Sequence, residues 1–460
     1  MTRPRAVAQA GRANAGRPVV RRVLALVVAT LGIGVLTLTP GGADDPAAAG
    51  RSLWTTVACP TCSRAWLADV ISNLALFVPL GAALVAVGVP VRRAVLTGAA
   101  MSLLIEILQL SGVTAGRTPA IADLVSNTLG TWVGCLVARH GPSWVSPSVP
   151  RARALRNGWA ALCTAVWIVL ARALQPATPV QPSAAVSVSA LPFTPGYGWF
   201  AANAVRTDVN GVSVAHLGNG PVIVAAQRSR SSTARVAVRG RDTRSGMVPV
   251  VFVHEPAMTG VDARTTRAHL LVAQHGDDAS LASDLRAPRW GLQMPELRVP
   301  GAFAPGRDSV LLQAQVTTRW WHLAWSDPSQ PLQRHEATLT LSPAIGWALV
   351  QSIVPAGARV GVMVTAVWLF LWFAPLGYWS ASSSRSGRAG PKSQSGQCLD
   401  AVLWAAGVLA VGWGAAAVTG TSPVSVAEGA WCVLAAVSGV GLQSLVCAAR
   451  LRDAATFERA

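Results

Sequence analysis

The hydrophobic pattern of the chain is dominated by long apolar runs that short polar segments separate. Eight of these runs approach the roughly 20 residues that an α-helix needs to cross the hydrocarbon core of a bilayer. The pattern therefore predicts eight transmembrane helices. The runs are Val19 to about Leu38 and then, roughly, Trp66–Val89, Ala94–Gly112, Pro119–Ala138, Gly158–Leu174, Ala356–Trp379, Cys398–Thr419 and Ala430–Ala449.

A different pattern fills the long segment between the fifth and sixth runs. Residues 175–192 are rich in Pro, Ala, Ser and Val, which is typical of an extended linker. Residues 193–343 carry short runs in which apolar and polar positions alternate. In one of them, Val236 and Val238 can face a core while Arg235, Ala237 and Arg239 face away from it. A segment of this length can bury a core of its own. The pattern predicts an all-β sandwich.

Composition supports a polytopic α-helical membrane protein and excludes an ordinary soluble one. The 460 residues are 52% hydrophobic and 13% charged, and the mean hydropathy is +0.42. The formal net charge of +18 would suggest nucleic-acid binding in a soluble chain. Here the arginines lie mainly in short loops and in the polar domain. We therefore expect membrane lipids as partners and no nucleic acid.

The placement of arginine predicts the orientation in the plasma membrane, because cytoplasmic loops carry an excess of basic residues. The first outer loops hold only Arg51, Arg64 and Arg117 if the N-terminus is cytoplasmic, and basic clusters then fall inside. A signal peptide would begin similarly, but the first run is longer than a usual signal core, which favours a retained anchor. We expect cytoplasmic termini and an extracellular β domain. The predicted divisions are a tail (1–18), a four-helix core (19–140), a basic cytoplasmic loop (141–157), a fifth helix (158–174), the linker, the extracytoplasmic sandwich and three final helices (344–460).

Charged and amide side chains interrupt the second to fourth runs and the loop beside them, where each is costly and therefore a functional suspect. Helical rise of about 1.5 Å per residue brings the pairs on the three helices to one depth in the outer part of the bilayer. Two interpretations stay open: a binding site of three carboxylates with one arginine, or hydrogen bonds that only cross-link helices. The residues are Asp69, Asn73, Glu106, Gln109, Arg117, Asp123 and Asn127.

These residues, in this order and together with the Phe-x-Pro-Leu-Gly of Phe77 to Gly81 and with Gly130, resemble the pattern of the VanZ-like membrane proteins. The resemblance covers roughly residues 20 to 140. That family is named after an accessory protein of glycopeptide-antibiotic resistance. The resemblance implies a polytopic protein of the cell envelope, with a cell-wall precursor or an envelope glycan as the expected partner.

Cysteine and glycine positions in the helical regions have simpler interpretations. Cys59 and Cys62 form a Cys-Pro-Thr-Cys sequence in the first outer loop. A redox motif has this spacing, but a small disulfide loop is the favoured interpretation. Gly130 and Gly134 form a small-xxx-small pair that indicates close helix packing. Cys135, Cys163, Cys398, Cys432 and Cys447 are expected to be packing residues.

Two segments of the polar domain resemble laminin-G-like, concanavalin A-type jelly rolls: residues 269–288 and the strand that begins at Trp320. Such sandwiches often bind glycans or peptides, some with calcium. The resemblance therefore implies calcium as a ligand of this domain, and no other cofactor is expected. Trp320 and Trp325 are candidates for stacking on sugar rings. Alternation places Trp321 on the face opposite Trp320, so at least one of these tryptophans belongs to the core. The histidines show no paired metal-ligand spacing.

The last helices echo the first core in sequence. Residues 372–380 repeat the Phe-x-Pro-Leu-Gly pattern, and residues 426–439 resemble 121–134, with Glu428 in place of Asp123. A degenerate duplication and chance similarity both stay open. Three functions remain in competition: an envelope protein that changes surface exposure of cell-wall precursors or susceptibility to teicoplanin-type glycopeptides, a membrane enzyme or transporter acting on a lipid-linked headgroup at the outer leaflet, and a membrane-anchored glycan-binding protein.

Overall fold

The eight predicted transmembrane helices are present in the computed structural model, and each is long and apolar enough to cross a membrane. The structure describes residues 5–38, 65–111, 119–177, 185–188, 203–213, 231–242, 247–254, 268–351, 358–384 and 393–458. The helices are α1 (Arg5–Leu38), α2 (Trp66–Ala86), α3 (Val91–Leu110), α4 (Ile121–Val145), α5 (Val149–Ala173), α6 (Ala358–Ser383), α7 (Gln394–Thr419) and α8 (Val426–Glu458).

The chain divides into a first unit, Met1–Ser146, and a second unit, Pro147–Ala460. The division falls within the predicted cytoplasmic loop 141–157, which is mostly helical instead. Helix α4 continues to Val145 and α5 begins at Val149, so three arginines of the predicted loop lie on the first turns of α5. Arginine is a good helix former, and a proline in the first turn of α5 has a backbone preorganised for that position.

The first unit is a bundle of α1 to α4 around a small apolar core. Phe77 and Leu80 of α2 pack with Ile33 of α1, Ile105 of α3 and Cys135 of α4. The apolar residues on the other sides of these helices are exposed, as expected when lipid and not water surrounds a bundle. All four helices of the unit therefore combine a buried inner face with an apolar outer face, as helices of a membrane bundle do.

The β domain of the second unit consists of two antiparallel sheets, which confirms the predicted all-β class. One sheet has the strand order β1-β5-β6-β7-β8 and the other β11-β10-β9-β4-β2-β3. The strands are β1 (Ala185–Val188), β2 (Asn203–Val209), β3 (Val212–Ser213), β4 (Ser231–Arg239), β5 (Met247–His254), β6 (Ala268–His275), β7 (Asp278–Ala282), β8 (Leu297–Val299), β9 (Ser309–Thr317), β10 (Trp320–Asp327) and β11 (Gln330–Thr340).

Part of the predicted linker 175–192 is ordered structure. Strand β1 lies inside it and pairs antiparallel with β5 through register pairs such as Val186 with Val253. The N–H of Ala177 donates to the carbonyl oxygen of Asp284 at 3.1 Å. The prediction failed here because the alternating valines of β1 can join a sheet edge, and that tertiary pairing outweighs a composition typical of linkers.

The predicted alternation along β4 is confirmed. Val236 and Val238 are buried between the sheets, whereas Arg235 and Arg239 face outward. The same alternation buries Trp321 of β10 completely. One face of the six-stranded sheet therefore builds the core and the other carries polar side chains.

Helices α5 to α8 pack into one apolar core in the second unit. Trp167 of α5 and Phe373 of α6 are fully buried and meet edge to face, with ring centroids 5.5 Å apart. A 3₁₀ helix, Pro343–Leu349, follows the last strand and is buried along its whole length. The exit of the β domain is thus built into the helical part of the same unit.

Candidate functional site

Asn73 and Asp123 join α2 to α4 at one end of the first unit. The Asn73 Nδ2 donates a hydrogen bond to Asp123 Oδ1 at 2.8 Å. Both residues lie in the first turns of their helices, and Asp69 lies one turn before Asn73 on α2. The side chains that the sequence places on matching helix faces therefore meet across the helix pair.

Glu106 reaches the same end of the bundle from α3, which runs in the opposite direction. Its side chain is only 9% exposed. Its Oε2 accepts a hydrogen bond from the backbone N–H of Ala120 at 2.8 Å, immediately before α4 begins. A carboxylate is stabilised there by the unpaired N–H groups and the dipole of a helix N-terminus. The carboxylates of Glu106 and Asp123 are close enough to interact electrostatically.

Two buried side-chain oxygens beside these carboxylates have no hydrogen-bond partner among the described residues. Asn127 donates from Nδ2 to the Ser102 Oγ at 3.0 Å, but its Oδ1 accepts nothing, and neither does Gln109 Oε1. Asn127 is 3% and Gln109 8% exposed. A buried acceptor without a partner costs about 1–3 kcal/mol. The site therefore holds unused acceptor capacity next to its acids.

Glycine makes this convergence possible because it lets the α2 and α4 backbones touch. A Cβ atom at Gly130 would overlap the carbonyl oxygen of Leu74, and one at Gly134 would overlap that of Val78. A Cβ at Gly81 would overlap the carbonyl oxygen of Thr131. The interpretation of Gly130 and Gly134 as packing residues is confirmed.

The structure brings six of the seven predicted residues to one end of the first unit. Asn73 and Asp123 bond to each other, whereas Glu106 and Asn127 bond to Ala120 and Ser102. Arg117 lies outside the described residues, as do Cys59 and Cys62 with their predicted disulfide. Sequence reasoning missed Ser102 and the N–H of Ala120. The position of Ser102, one turn before Glu106 on the same helix face, is the signal that indicates its role.

The structure corrects one of the two tryptophans proposed for sugar stacking. Trp325 is 3% exposed, its ring stacks on His335 with centroids 4.2 Å apart, and the guanidinium of Arg307 lies 4.1 Å above it. Its Nε1 donates to the carbonyl oxygen of Pro300 at 3.0 Å. No sugar ring can stack on a ring covered in this way. Trp320 is half-buried on the outer face, so its predicted role stays a prediction.

Polar and basic side chains on the outer face of the six-stranded sheet line a depression of about 430 Å³. The register sets Arg235 of β4 beside Gln313 of β9, and His322 of β10 beside Gln315 of β9. Arg334 of β11 also lines it. The sequence analysis did not single out this face, although alternation along β4 already placed Arg235 there.

The Glu296 carboxylate contacts three polar side chains of the β domain. Its Oε1 accepts from Ser280 Oγ at 2.6 Å and lies 2.9 Å from His275 Nδ1, while Arg298 contacts both carboxylate oxygens. Burial alone would raise the pKa of Glu296, but the hydrogen bonds from His275, Arg298 and Ser280 outweigh burial and lower the pKa to about 2. Both carboxylate oxygens are bonded inside the domain, which indicates a structural role.

Among the described residues no three His, Cys, Asp or Glu side chains are grouped so that they could hold a metal ion. The expectation of calcium in the sandwich stays a prediction. Three of the cysteines expected to be packing residues, Cys135, Cys163 and Cys432, are free and buried. Cys398 and Cys447 are half-buried thiols, and Cys447 Sγ accepts a hydrogen bond from Gln443.

The fold and the apolar helices define a multi-pass helical membrane protein with a β domain. Residues 35–143 match the family model described as VanZ/LLP1. The match covers most of the first unit, including all seven residues of the predicted polar cluster, and it confirms the resemblance to VanZ-like membrane proteins in that region. No curated protein and no solved structure gives a significant match to the chain. The laminin-G-like resemblance therefore stays a prediction.

Proposed function

We propose that the polar end of the first unit binds the hydroxyl- or ammonium-bearing headgroup of a cell-wall precursor or envelope lipid at the outer leaflet. The observation that carries this proposal is a pair of buried oxygens next to Glu106 and Asp123, Gln109 Oε1 and Asn127 Oδ1, which accept no hydrogen bond from the residues that the structure describes. Such a set of oxygens accepts hydrogen bonds and positive charge, so a donor-rich ligand complements it.

The orientation that the arginines favour supports this proposal. With both termini cytoplasmic, the N-terminal ends of α2 and α4 lie at the outer leaflet, where lipid-linked wall precursors expose their headgroups. The β domain, inserted between α5 and α6, is extracellular in the same orientation. By binding precursor headgroups, the protein would alter their exposure and so the susceptibility to teicoplanin-type glycopeptides, as the VanZ name suggests.

A binding or transport role explains the cluster better than a hydrolytic one. The described hydrogen bonds hold Glu106 on a backbone N–H and Asp123 on a side-chain amide. Intramembrane acids of this kind typically line paths for ions and substrates. A membrane enzyme acting on the lipid-linked headgroup is the alternative that the same cluster leaves open.

The test compares Glu106→Gln and Asp123→Asn with the parent protein in nanodiscs. The probe is a lipid-linked disaccharide-pentapeptide, and binding is followed by intrinsic tryptophan fluorescence. Losing one charge-assisted hydrogen bond should weaken binding about tenfold, because such a bond contributes about 1.5 kcal/mol or more. The same variants should shift glycopeptide susceptibility of the producing cells.

Thr128→Val is the matched control, since the Thr128 hydroxyl donates only to the Leu124 carbonyl oxygen of its own helix. It should bind the probe as the parent does. If both acid variants accumulate normally and bind the precursor with parental affinity, the cluster only cross-links helices and the headgroup proposal is wrong.

A second candidate function, binding of envelope glycans, is favoured by the depression on the six-stranded sheet. Recognition there would depend on Arg235, Arg334 and the glutamine amides that line the depression, which suit glycans that carry phosphate or carboxylate groups. Arg235→Gln should weaken binding of the full-length protein to a phosphate-bearing wall polymer and leave binding of a neutral glucan unchanged. Equal binding of the polymer by variant and parent would exclude this function.

A further inference from the structure

The α2–α4 pair of the first unit and the α6–α8 pair of the second unit share a sequence pattern and a burial pattern. Phe77 and Phe373 are both 0% exposed, and Leu80 and Leu376 are 2% and 0% exposed. A proline lies inside each helix between these two residues. The sequence similarity between the two helices is therefore also a similarity of environment.

The two pairs also pack in the same register, which sequence similarity alone does not require. A Cβ at Gly81 would overlap the carbonyl oxygen of Thr131, and a Cβ at Gly377 would overlap that of Ala436. These two contacts occupy matching positions in all four helices. Chance similarity between glycine-rich helices gives no reason for the same glycine to meet the same position of the partner helix.

A second glycine contact repeats in the same way. A Cβ at Gly134 would lie 2.9 Å from Ala82 N, and one at Gly439 would lie 2.9 Å from Tyr378 N. Both would also overlap a carbonyl oxygen one turn earlier on the partner helix, in Val78 and Ala374 respectively. Two independent contacts with one alignment favour a duplication over chance.

The surrounding chain follows the same order in both units. Helices α1 to α4 match α5 to α8, and in each set the first and third helices pack around the glycine-linked pair. The β domain stands between α5 and α6, which is the position that residues 39–64 hold between α1 and α2 in the sequence. The second unit thus reads as a second copy with a domain inserted before its second helix.

The positions of the candidate site carry different chemistry in the second copy. Glu428 stands at the position of Asp123, and its two oxygens accept from Ser342 Oγ at 3.0 Å and from the backbone N–H of Ser425 at 2.8 Å. Thr365 stands at the position of Asp69, and its Oγ1 accepts from Trp347 Nε1 at 3.0 Å. Ser342 and Trp347 belong to the segment that leaves the β domain.

More contacts hold this exit segment against the helices. The N–H of Ser422 donates to the Leu341 carbonyl oxygen at 3.1 Å, and the side chain of Leu170 packs against Gly346. Ser342 is fully buried. The end of the bundle that leaves acceptors open in the first unit is filled here by the protein's own chain.

We infer that α5 to α8 are a second copy of the α1 to α4 frame. In this copy, the positions that match the candidate site hold the segment by which the chain leaves the β domain, and Glu428 is the residue that positions this exit segment. Ser342 supplies to Glu428 the kind of hydroxyl group that a ligand would supply to the acids of the first unit. This inference concerns the second unit alone and holds whether or not the first unit binds a headgroup.

The test measures hydrogen exchange of the full-length protein in detergent micelles. Glu428→Ala and Ser342→Ala should each raise the exchange rate of the amides in residues 341–351 by about tenfold, because the same hydrogen bond is removed. Exchange in β6 and β9 should not change. Because the two residues act as one pair, the double variant should exchange no faster than the faster single variant.

Asp123→Ala is the matched control and should leave the exit segment at the parental rate. The Ser342→Ala substitution changes no residue of the helices. It therefore tests whether the Ser342–Glu428 hydrogen bond holds the exit segment even if Glu428→Ala fails to accumulate. Parental exchange of residues 341–351 in Ser342→Ala would overturn the inference, as would an additive effect of the two substitutions.

Discussion

The two glycine-linked helix pairs have the same frame and opposite polar chemistry. Beside the α2–α4 pair, the side-chain oxygens of Gln109 on α3 and Asn127 on α4 accept no hydrogen bond from a described residue. In the α6–α8 pair, both oxygens of Glu428 are bonded within the second unit. The difference teaches that backbone contact through glycine sets the packing of each helix pair. The side chains at the helix ends determine whether their hydrogen-bond acceptors are used within the protein or are left for a ligand.

The β domain extends the same comparison outside the membrane. Glu296 contacts a serine, a histidine and an arginine, and both of its oxygens are bonded inside the domain. Its surroundings resemble those of Glu428 and not those of Glu106. Carboxylates with both oxygens bonded internally indicate structural roles in this chain, whereas the carboxylates beside acceptors that no described residue bonds are the ones that we propose bind a ligand.

The largest expected effect comes from breaking the shared frame. Gly134→Ile and Gly439→Ile each drive a side chain into backbone atoms that cannot rotate away, so each should destabilise its helix pair by more than about 4 kcal/mol. We expect little folded protein in the membrane from either variant. The measurement is the folded fraction by size-exclusion chromatography after detergent extraction.

Gly141→Ile and Gly441→Ile are the controls on the same two helices, because no other residue comes within 4 Å of a Cβ at either position. Both should accumulate almost as the parent does. If the Gly439 variant is as abundant as the Gly441 variant, the second pair does not depend on backbone contact and the comparison between the pairs loses its basis.

A smaller effect should follow from Glu296→Gln, which removes a carboxylate that is hydrogen-bonded inside the β domain. The pKa of Glu296 is about 2 in the folded domain and near 4.5 when the chain is unfolded, so the charged group stabilises the fold by roughly 2–3 kcal/mol above pH 4.5. That stabilisation declines as the pH falls from about 4.5 to about 2. Thermal unfolding of parent and variant, followed by tryptophan fluorescence at a series of pH values, measures the difference.

The stability gap between parent and Glu296→Gln should thus be widest near neutral pH and should close toward pH 2. Glu336→Gln is the control, since its carboxylate is 55% exposed and pairs with Arg334 at the surface. It should change the stability by less than about 0.5 kcal/mol. A gap for Glu296→Gln that does not vary with pH would mean that packing, and not charge, holds this network.

Sequence reasoning reached the helices and the polar end of the first unit because helical spacing alone places Asp69 with Asn73 and Asp123 with Asn127. It failed where a partner far along the chain decides. Trp325 looked available for sugars until His335 and Arg307 covered it, and β1 looked like a linker until β5 paired with it. Periodicity gives the face of a residue but not what lies against that face.

The duplication lay between these two cases. The echo of Phe77 to Gly81 in the sixth helix is visible in the sequence, but similarity among glycine-rich membrane helices is common. Only the contacts of Gly377 and Gly439, which depend on a helix some 60 residues away, separate duplication from chance. Register between helices is a tertiary fact, so a single sequence does not contain it in readable form.

The smallest effect on stability, and the sharpest test of the comparison, is expected from Asn127→Cys. This substitution brings into α4 the residue that α8 has at the matching position, Cys432. It removes the Asn127 donor to Ser102 and the unpaired Oδ1 together, and the freed hydroxyl of Ser102 can turn to a carbonyl oxygen of its own helix. Because a hydrogen bond between membrane helices contributes about 0.6 kcal/mol on average, folding should change by less than about 1 kcal/mol. Binding of the lipid-linked precursor should nevertheless weaken severalfold, since an acceptor that serves the ligand and not the fold is lost.

The two measurements are the thermal stability in nanodiscs and the affinity for the precursor on the same sample. A variant that unfolds easily would place Asn127 in the frame, and a variant that is stable with parental affinity would show that its unpaired oxygen serves no ligand.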